Sequence, residues 1–227
     1  MAINKENFLS ICKELDDRKV ALVAVSKTKS VEDIQHLYDL GHRDFGENYV
    51  QELVDKSTNL PGDIRWHFIG HLQTNKVKYI APFVYLIHGV ESFKLLQEIN
   101  KQAAKNNRVI DALLQVHIAD EETKFGLDEQ ELKDLINNDA NSLMKNIRIV
   151  GLMGMASFST DMNQVRTEFR KLKNIFNTLQ LPARGSELLI SNSPVPILSM
   201  GMSGDYKIAI EEGSTMVRIG SLLFGAR

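Results

Sequence analysis

Short apolar runs alternate with amphipathic stretches along most of the chain. Ala21–Val25 is an unbroken apolar run with β-branched residues, and it reads as a strand buried on both faces. Before it, Phe8, Ile11, Cys12 and Leu15 recur at helical spacing, which predicts a helix over residues 3–18. After it, residues 31–40 are amphipathic and Gly41 stops them as a helix. A short strand at 44–48 leads into a helix from residue 49. Residues 64–70 form the next strand, followed by a helix carrying Asn75, Lys76 and Lys78. The rhythm continues with a strand at 83–90 and a helix at 92–105. A strand at 111–118, a polar loop at 120–126 and a helix at 129–136 follow, then a strand at 147–155 and a helix at 161–179. Residues 182–196 hold three of the five prolines and read as an irregular connection. A strand at 197–201, a helix at 203–212 and a strand at 216–220 complete the series.

About eight strand–helix alternations with short connections imply a parallel sheet wrapped by helices. At this length they predict a single-domain (β/α)8 TIM barrel over residues 1–227, in preference to an open doubly wound sheet. There is no repeat at fixed period and no shift in composition that would mark a second domain. A net charge of -2 gives no electrostatic case for nucleic acid or an anionic membrane. The single cysteine, Cys12, excludes an internal disulfide and a thiolate-rich zinc site. No apolar run approaches the length of a membrane span and the amino terminus lacks a signal-peptide core, so a soluble, cytoplasmic protein is expected.

In such a barrel, reactive groups gather where strands end at the carboxyl-terminal face. The predicted strand ends place Lys27, Asn48, His67, Ser199 and Arg218 on that rim. A lysine at the mouth of a buried strand is partly dehydrated, which disfavours its ammonium form and frees an amine nucleophile. The plainer reading is a strand that runs out into solvated lysines. The turn Ser199-Met200-Gly201-Met202-Ser203 joins a strand to a helix with small residues and a hydroxyl near the helix start, where backbone amides favour an anion. Arg218-Ile219-Gly220-Ser221 offers a second glycine turn and another hydroxyl, and phosphate sites after the seventh and eighth strands recur in these barrels. A structural role for each turn is the competing reading. An activated lysine opposite a phosphate cradle, with an arginine nearby, suggests pyridoxal phosphate bound to Lys27 as a Schiff base, with Arg218 facing the pyridine nitrogen. His67 and His71 are four apart, but in strand-like sequence four residues span roughly 13 Å, too far to share a metal. His67 reads instead as a hydrogen-bonded structural group near the rim.

Several blocks resemble the pyridoxal phosphate homeostasis protein family, in order. They are Ala24-Val25-Ser26-Lys27-Thr28-Lys29, Phe45-Gly46-Glu47-Asn48-Tyr49-Val50-Gln51-Glu52, Trp66-His67-Phe68-Ile69-Gly70-His71-Leu72-Gln73-Thr74-Asn75-Lys76, Leu198-Ser199-Met200-Gly201-Met202-Ser203 and Gly213-Ser214-Thr215-Met216-Val217-Arg218-Ile219-Gly220, with Phe224-Gly225-Ala226-Arg227 at the end. The resemblance implies a fold-type III pyridoxal phosphate barrel, like the amino-terminal domain of alanine racemase but without its β-rich second domain. It implies a cofactor on Lys27, with Asn48 beside the ring, Arg218 at the ring nitrogen, and Ser199 or Ser203 with Gly220 and Ser221 at the phosphate. Gly201 and Met202 belong to the same cofactor-binding turn. Ser30 stands where the family usually has proline, Gly204 where an acidic residue or alanine is common, and Ser221 where threonine is more frequent.

The implied role is to bind, buffer and deliver pyridoxal phosphate in vitamin B6 homeostasis with no established catalytic turnover, any activity being weak and dependent on pyridoxal phosphate, with apo-enzymes as recipients. A monomer is expected, with a dimer as the alternative. A small pyridoxal-phosphate-dependent racemase or decarboxylase competes with this reading. So does a sugar-phosphate barrel enzyme in which Lys27 forms a transient substrate imine.

Overall fold

The structure is a computed structural model that describes residues 4–120, 125–138, 140, 143–179 and 196–225. Eight strands pair in chain order, each parallel to the next: β1 (Ala21–Val25), β2 (Asp44–Glu47), β3 (Arg65–Phe68), β4 (Leu86–Val90), β5 (Ile110–Gln115), β6 (Ile147–Met153), β7 (Ile197–Ser199) and β8 (Met216–Ile219). β8 pairs with β1, in register from Ala21 opposite Met216 to Ala24 opposite Ile219, and this closes the barrel. α1 (Lys5–Asp17) precedes β1. Outside the strands lie α2 (Val31–Asp39), α3 (Val50–Asn59), α4 (Val77–Ile80), α5 (Phe93–Lys105), α6 (Glu129–Ile136), α7 (Met162–Thr178) and α8 (Tyr206–Glu211). A four-residue α9 (Ser221–Phe224) follows β8.

The unbroken apolar runs have a geometric cause. Successive strand residues face opposite sides, and in a closed barrel both sides are dry. Val23, Leu86, Leu113, Val150, Met153 and Met216 pack together as an inner cluster. Their neighbours Leu22, Ala24, Phe45, Phe68, Ile87 and Leu152 pack outward against Leu37, Leu53, Leu96 and Phe169 of the helices. Each fully buried Leu or Phe contributes roughly 1.5–3 kcal/mol, whereas an exposed ion pair such as Lys133–Glu129 contributes about 0–1 kcal/mol. The apolar layer therefore holds the helices on the barrel. At the amino-terminal face the ring is polar instead: Arg65 pairs with Asp44, and Arg148 with Asp111 at 2.6 Å.

Local signals explain most boundaries. Ser30 accepts the Asp33 amide while the Asp33 carboxylate accepts the Ser30 amide, a reciprocal cap that starts α2. This gives a physical reason for serine where the resembled family has proline. Asp128 and Glu131 cap α6 in the same way, and Ser92 caps α5. The expected helix after β3 is split into a 3-10 turn at Thr74–Lys76 and the single turn of α4. The expected helix from residue 203 starts only at Tyr206, because residues 202–205 form a closed turn in which the Asp205 carboxylate takes the Met202 amide. α9 has no counterpart in the sequence reading. The expected connection at 182–196 lies outside the described residues except for Pro196.

Where the chain leaves β2 and β3 the two backbones touch. A Cβ at Gly70 would stand 2.3 Å from the Asn48 carbonyl oxygen. Gly70→Ala is therefore expected to destabilise the fold by about 1–3 kcal/mol, read as a lower urea midpoint. An unchanged midpoint would show that the two loops part freely.

Candidate functional site

A cavity of about 560 Å³ opens at the carboxyl ends of the strands. Lys27 after β1, Asn48 after β2, Met202 and Ser203 after β7, and Arg218, Gly220 and Ser221 at the end of β8 all line it. Val25, Ile69, Met155 and Val165 supply apolar wall. Phe158, 98% exposed, stands on its edge. Two of the candidate residues lie off the wall. Ser199 ends β7 but its side chain is fully buried inside the barrel, where its hydroxyl accepts an Arg218 N–H at 2.7 Å. Gly201, with φ +96°, lets β7 run close to α8: a Cβ there would meet that of Ala209 at 2.6 Å. His67, read as a rim residue, lies instead within the barrel and reaches toward its opposite face, Nε2 3.0 Å from Asp44.

The lysine is carried on a braced loop. Glu47, outward on β2 and fully buried, accepts the Ser26 hydroxyl at 2.6 Å and the Lys56 ammonium at 2.8 Å. Lys56 of α3 also donates to the Ser26 carbonyl at 2.8 Å and to Glu52 at 2.6 Å. Glu52 in turn accepts the amide of Thr28. Thr28 sits at φ +63°, a left-handed conformation that a β-branched residue avoids and that costs on the order of 1–3 kcal/mol. Lys27 is thus held between two residues tied to one buried cluster. Burial pushes the Glu47 carboxyl upward, opposed by the adjacent Lys56.

Arg218 supplies the cation. It is 4% exposed and donates from Nη1 to Ser199 and from Nη2 to the Gly154 carbonyl at 3.2 Å. Among the described residues no carboxylate lies within ion-pair distance of it. Burial lowers its pKa to about 10, opposed by the Asp205 carboxylate, so it remains charged at neutral pH. Across the cavity the buried Asn48 Oδ1 has no hydrogen-bond partner among the described residues. The Ser203 hydroxyl accepts the Gly220 amide at 3.2 Å, joining the two glycine turns where α9 begins. His71 is elsewhere, paired with Glu91 at 2.8 Å and stacked on Phe125.

Glu47, Glu52 and Lys56 were not singled out from the sequence. Glu52 and Lys56 are four apart, a spacing that pairs charges on a helix, but the helix expected from the sequence covers only residues 49–53, and the burial of Lys56 is a tertiary fact. Lys56→Met would leave Glu47 and Glu52 without their counter-charge. A loss of about 3–5 kcal/mol in unfolding free energy is expected, measured by urea denaturation at pH 7. A loss below 1 kcal/mol would mean that the cluster does not brace the loop.

Residues 3–227 match the family model described as alanine racemase, N-terminal domain. A pyridoxal phosphate homeostasis protein from Aquifex aeolicus is 44% identical over 207 residues, 91% of this chain and 86% of that protein. The solved structure of PipY from Synechococcus elongatus, with PLP bound, superposes with a TM-score of 0.83 at 32% identity, covering 97% of this chain and 99% of that one. Alanine racemase from Clostridium difficile shares the barrel, with a TM-score of 0.72 at 14% identity over 99% of this chain and 58% of that one. With the strand-end lysine, the buried arginine and the paired hydroxyl turns all in one cavity, the chain belongs to the pyridoxal phosphate homeostasis protein family, built on the alanine racemase amino-terminal barrel.

Proposed function

We propose that this protein binds pyridoxal 5'-phosphate in the cavity at the carboxyl ends of its strands and serves as a carrier of that cofactor. One observation carries the reading: Lys27, the buried cation of Arg218 and the Ser203–Ser221 turns line the same cavity. The donor set fits the ligand part by part. Pyridoxal phosphate brings an aldehyde that bonds reversibly to an amine, and Lys27, directly after β1, is an amine on the wall; Lys29, also on the wall, is turned to the Phe224 carbonyl at 3.2 Å. Ser203 in the turn after β7 and Ser221 in the turn after β8 line the cavity side by side, joined through the Gly220 amide, and offer hydroxyls to a phosphate dianion. Asn48 Oδ1, buried and lacking a partner among the described residues, gains a partner if a hydroxyl lies against it. Arg218 uses two of its five N–H groups on Ser199 and Gly154, leaving donors for an unprotonated ring nitrogen. Met155 and Ile69 cover the remaining wall with apolar surface.

The same cation bears on turnover. A guanidinium that stays charged at neutral pH opposes a proton on any nitrogen facing it, and so weakens electron withdrawal by the ring. That favours holding and releasing the cofactor over carbanion chemistry. Ser199 and Gly201 take part indirectly, one by orienting Arg218 and the other by letting α8 approach β7. Apo-enzymes that lack the cofactor are the natural recipients. Cytoplasmic residence agrees with the fact that no helix among the described residues is long and apolar enough to cross a membrane.

The purified protein mixed with pyridoxal phosphate is expected to show a visible absorption band. Borohydride reduction should then fix the ligand mass on the peptide containing Lys27, and both signals should vanish in Lys27→Ala. Label on another lysine would overturn the assignment. Replacing Ser203 and Ser221 together by alanine is expected to weaken binding of pyridoxal phosphate while leaving that of pyridoxal unchanged, because only the former presents a dianion. Equal losses would move the phosphate elsewhere. In deuterium oxide, alanine is expected to keep its α-proton over hours in the presence of the loaded protein. Rapid exchange dependent on Lys27 would favour a racemase over a carrier.

A further inference from the structure

Five side chains from five different strands form one continuous line of hydrogen bonds through the inside of the barrel. Arg218 on β8 donates to the Ser199 hydroxyl of β7 at 2.7 Å. Ser199 Oγ lies 3.2 Å from His88 Nδ1 on β4. His88 Nε2 lies 3.0 Å from His67 Nδ1 on β3, and His67 Nε2 lies 3.0 Å from Asp44 Oδ1 on β2. The line begins at the cofactor cavity and ends at the amino-terminal face, where Asp44 also meets Arg65. Ser199, His88 and His67 are fully buried.

With Asp44 ionised and both imidazoles neutral, one direction satisfies every link of this line. Arg218 can only donate, so Ser199 Oγ accepts its N–H; the Ser199 hydroxyl donates to His88 Nδ1 when that nitrogen carries no proton, as a neutral His67 that donates from Nε2 to Asp44 requires along the line. With Nδ1 accepting, a neutral His88 carries its proton on Nε2 and gives it to His67 Nδ1. His67 then carries its proton on Nε2 and gives it to the Asp44 carboxylate. Every link is satisfied, and every dipole points from the cation toward the anion. Burial, with His67 and Arg218 close by, holds the His88 pKa well below its usual value, which agrees with a neutral ring. Arg65 and His67 hold the Asp44 carboxyl below the usual carboxylate range, against the opposing effect of its burial. The Tyr85 ring packs on His67 at 5.5 Å, and His42 stands beside the far end of the line, its Nε2 2.8 Å from the Asp44 carbonyl.

We infer that His88 and His67 are positioning residues for Arg218: with Ser199 and Asp44 they form a one-way hydrogen-bond relay that fixes the guanidinium toward the cofactor cavity and returns to it the countercharge of a carboxylate at the opposite face. The consequence for the ligand rests on the proposed binding of pyridoxal phosphate at this cavity; the direction of the relay does not. Arg218 makes no ion pair among the described residues but feels the Asp205 carboxylate of the same cavity; the relay adds a second link, to Asp44 through three intervening dipoles, and keeps the remaining donors aimed at the ligand. Interrupting the relay frees Ser199 to rotate and lets the guanidinium turn.

Two measurements test this. In the ligand-free protein, nitrogen-15 NMR of the imidazoles is expected to find both His88 and His67 protonated on Nε2 and not on Nδ1 at pH 7. A His88 proton on Nδ1, or a doubly protonated His88, would overturn the relay whatever the ligand proves to be. With pyridoxal phosphate bound, His88→Leu is expected to weaken binding roughly ten- to a hundredfold. It should also displace the visible absorption maximum in the same sense as Arg218→Ala, while borohydride still fixes the ligand on Lys27. Ser199→Ala interrupts the same line by removal of a single atom and is expected to behave alike, which guards against misfolding of the first variant. Wild-type affinity and spectrum in both variants, with Arg218→Ala altered, would overturn the positioning role. Absence of any adduct in the wild-type protein would defeat the binding reading alone and leave the NMR result to decide the relay.

Discussion

Removing a guanidinium from water costs several kcal/mol, and this barrel is built around meeting that cost at Arg218. The residue sits inside a parallel barrel with no carboxylate in ion-pair distance among the described residues. Its hydrogen bonds come from Ser199 on β7 and from the Gly154 carbonyl just beyond β6. Those partners are correctly placed because β6 and β7 align Met153 with Ser199, and β7 and β8 align Ser199 with Met216. A shift of one residue in either pairing would turn these side chains to the opposite face of the sheet. Strand register, and not a local motif, therefore sets the charge at the cavity.

The lysine is secured from the other side of the wall. Glu47 faces outward between β2 and α3, whereas Gly46, its neighbour, faces the barrel interior toward Val23. The strand alternation thus separates two polar systems that would otherwise interfere. Outside, the Glu47–Lys56–Glu52 cluster braces the turn through Ser26 and Thr28. Inside, the histidine line braces Arg218. Between them lies a single layer of backbone, and the cavity opens where that layer ends. Two independent braces around one pocket are what a binding protein needs, since rigidity in the empty state lowers the ordering cost of binding.

Much of this was legible along the chain. Periodicity located the eight strands because a parallel barrel buries both faces of each one, which leaves runs such as Ala21–Val25 without polar residues. Lys27, Asn48 and the turns at Ser203 and Gly220 could be read as candidates from their positions after those runs. Ser199 and His67 were legible as residues but not as places. Both stand at or near strand ends, and both point into the barrel, away from its mouth. Ser203 was read as the start of a helix; the Asp205 carboxylate closes a turn first and delays the helix to Tyr206.

The alternation of elements, the lysine at a strand end and the glycine-hydroxyl turns belong to the sequence by itself, because periodicity, strand ends and turn chemistry are local properties. Which polar groups meet inside the barrel was decided by tertiary structure. His88 and Ser199 are 111 residues apart and touch only because the strands close into a ring with a given stagger. Lys56 meets Glu47 only because α3 packs back against β2. Hydrogen-bond direction then follows from the chemistry of the groups, but their encounter follows from closure.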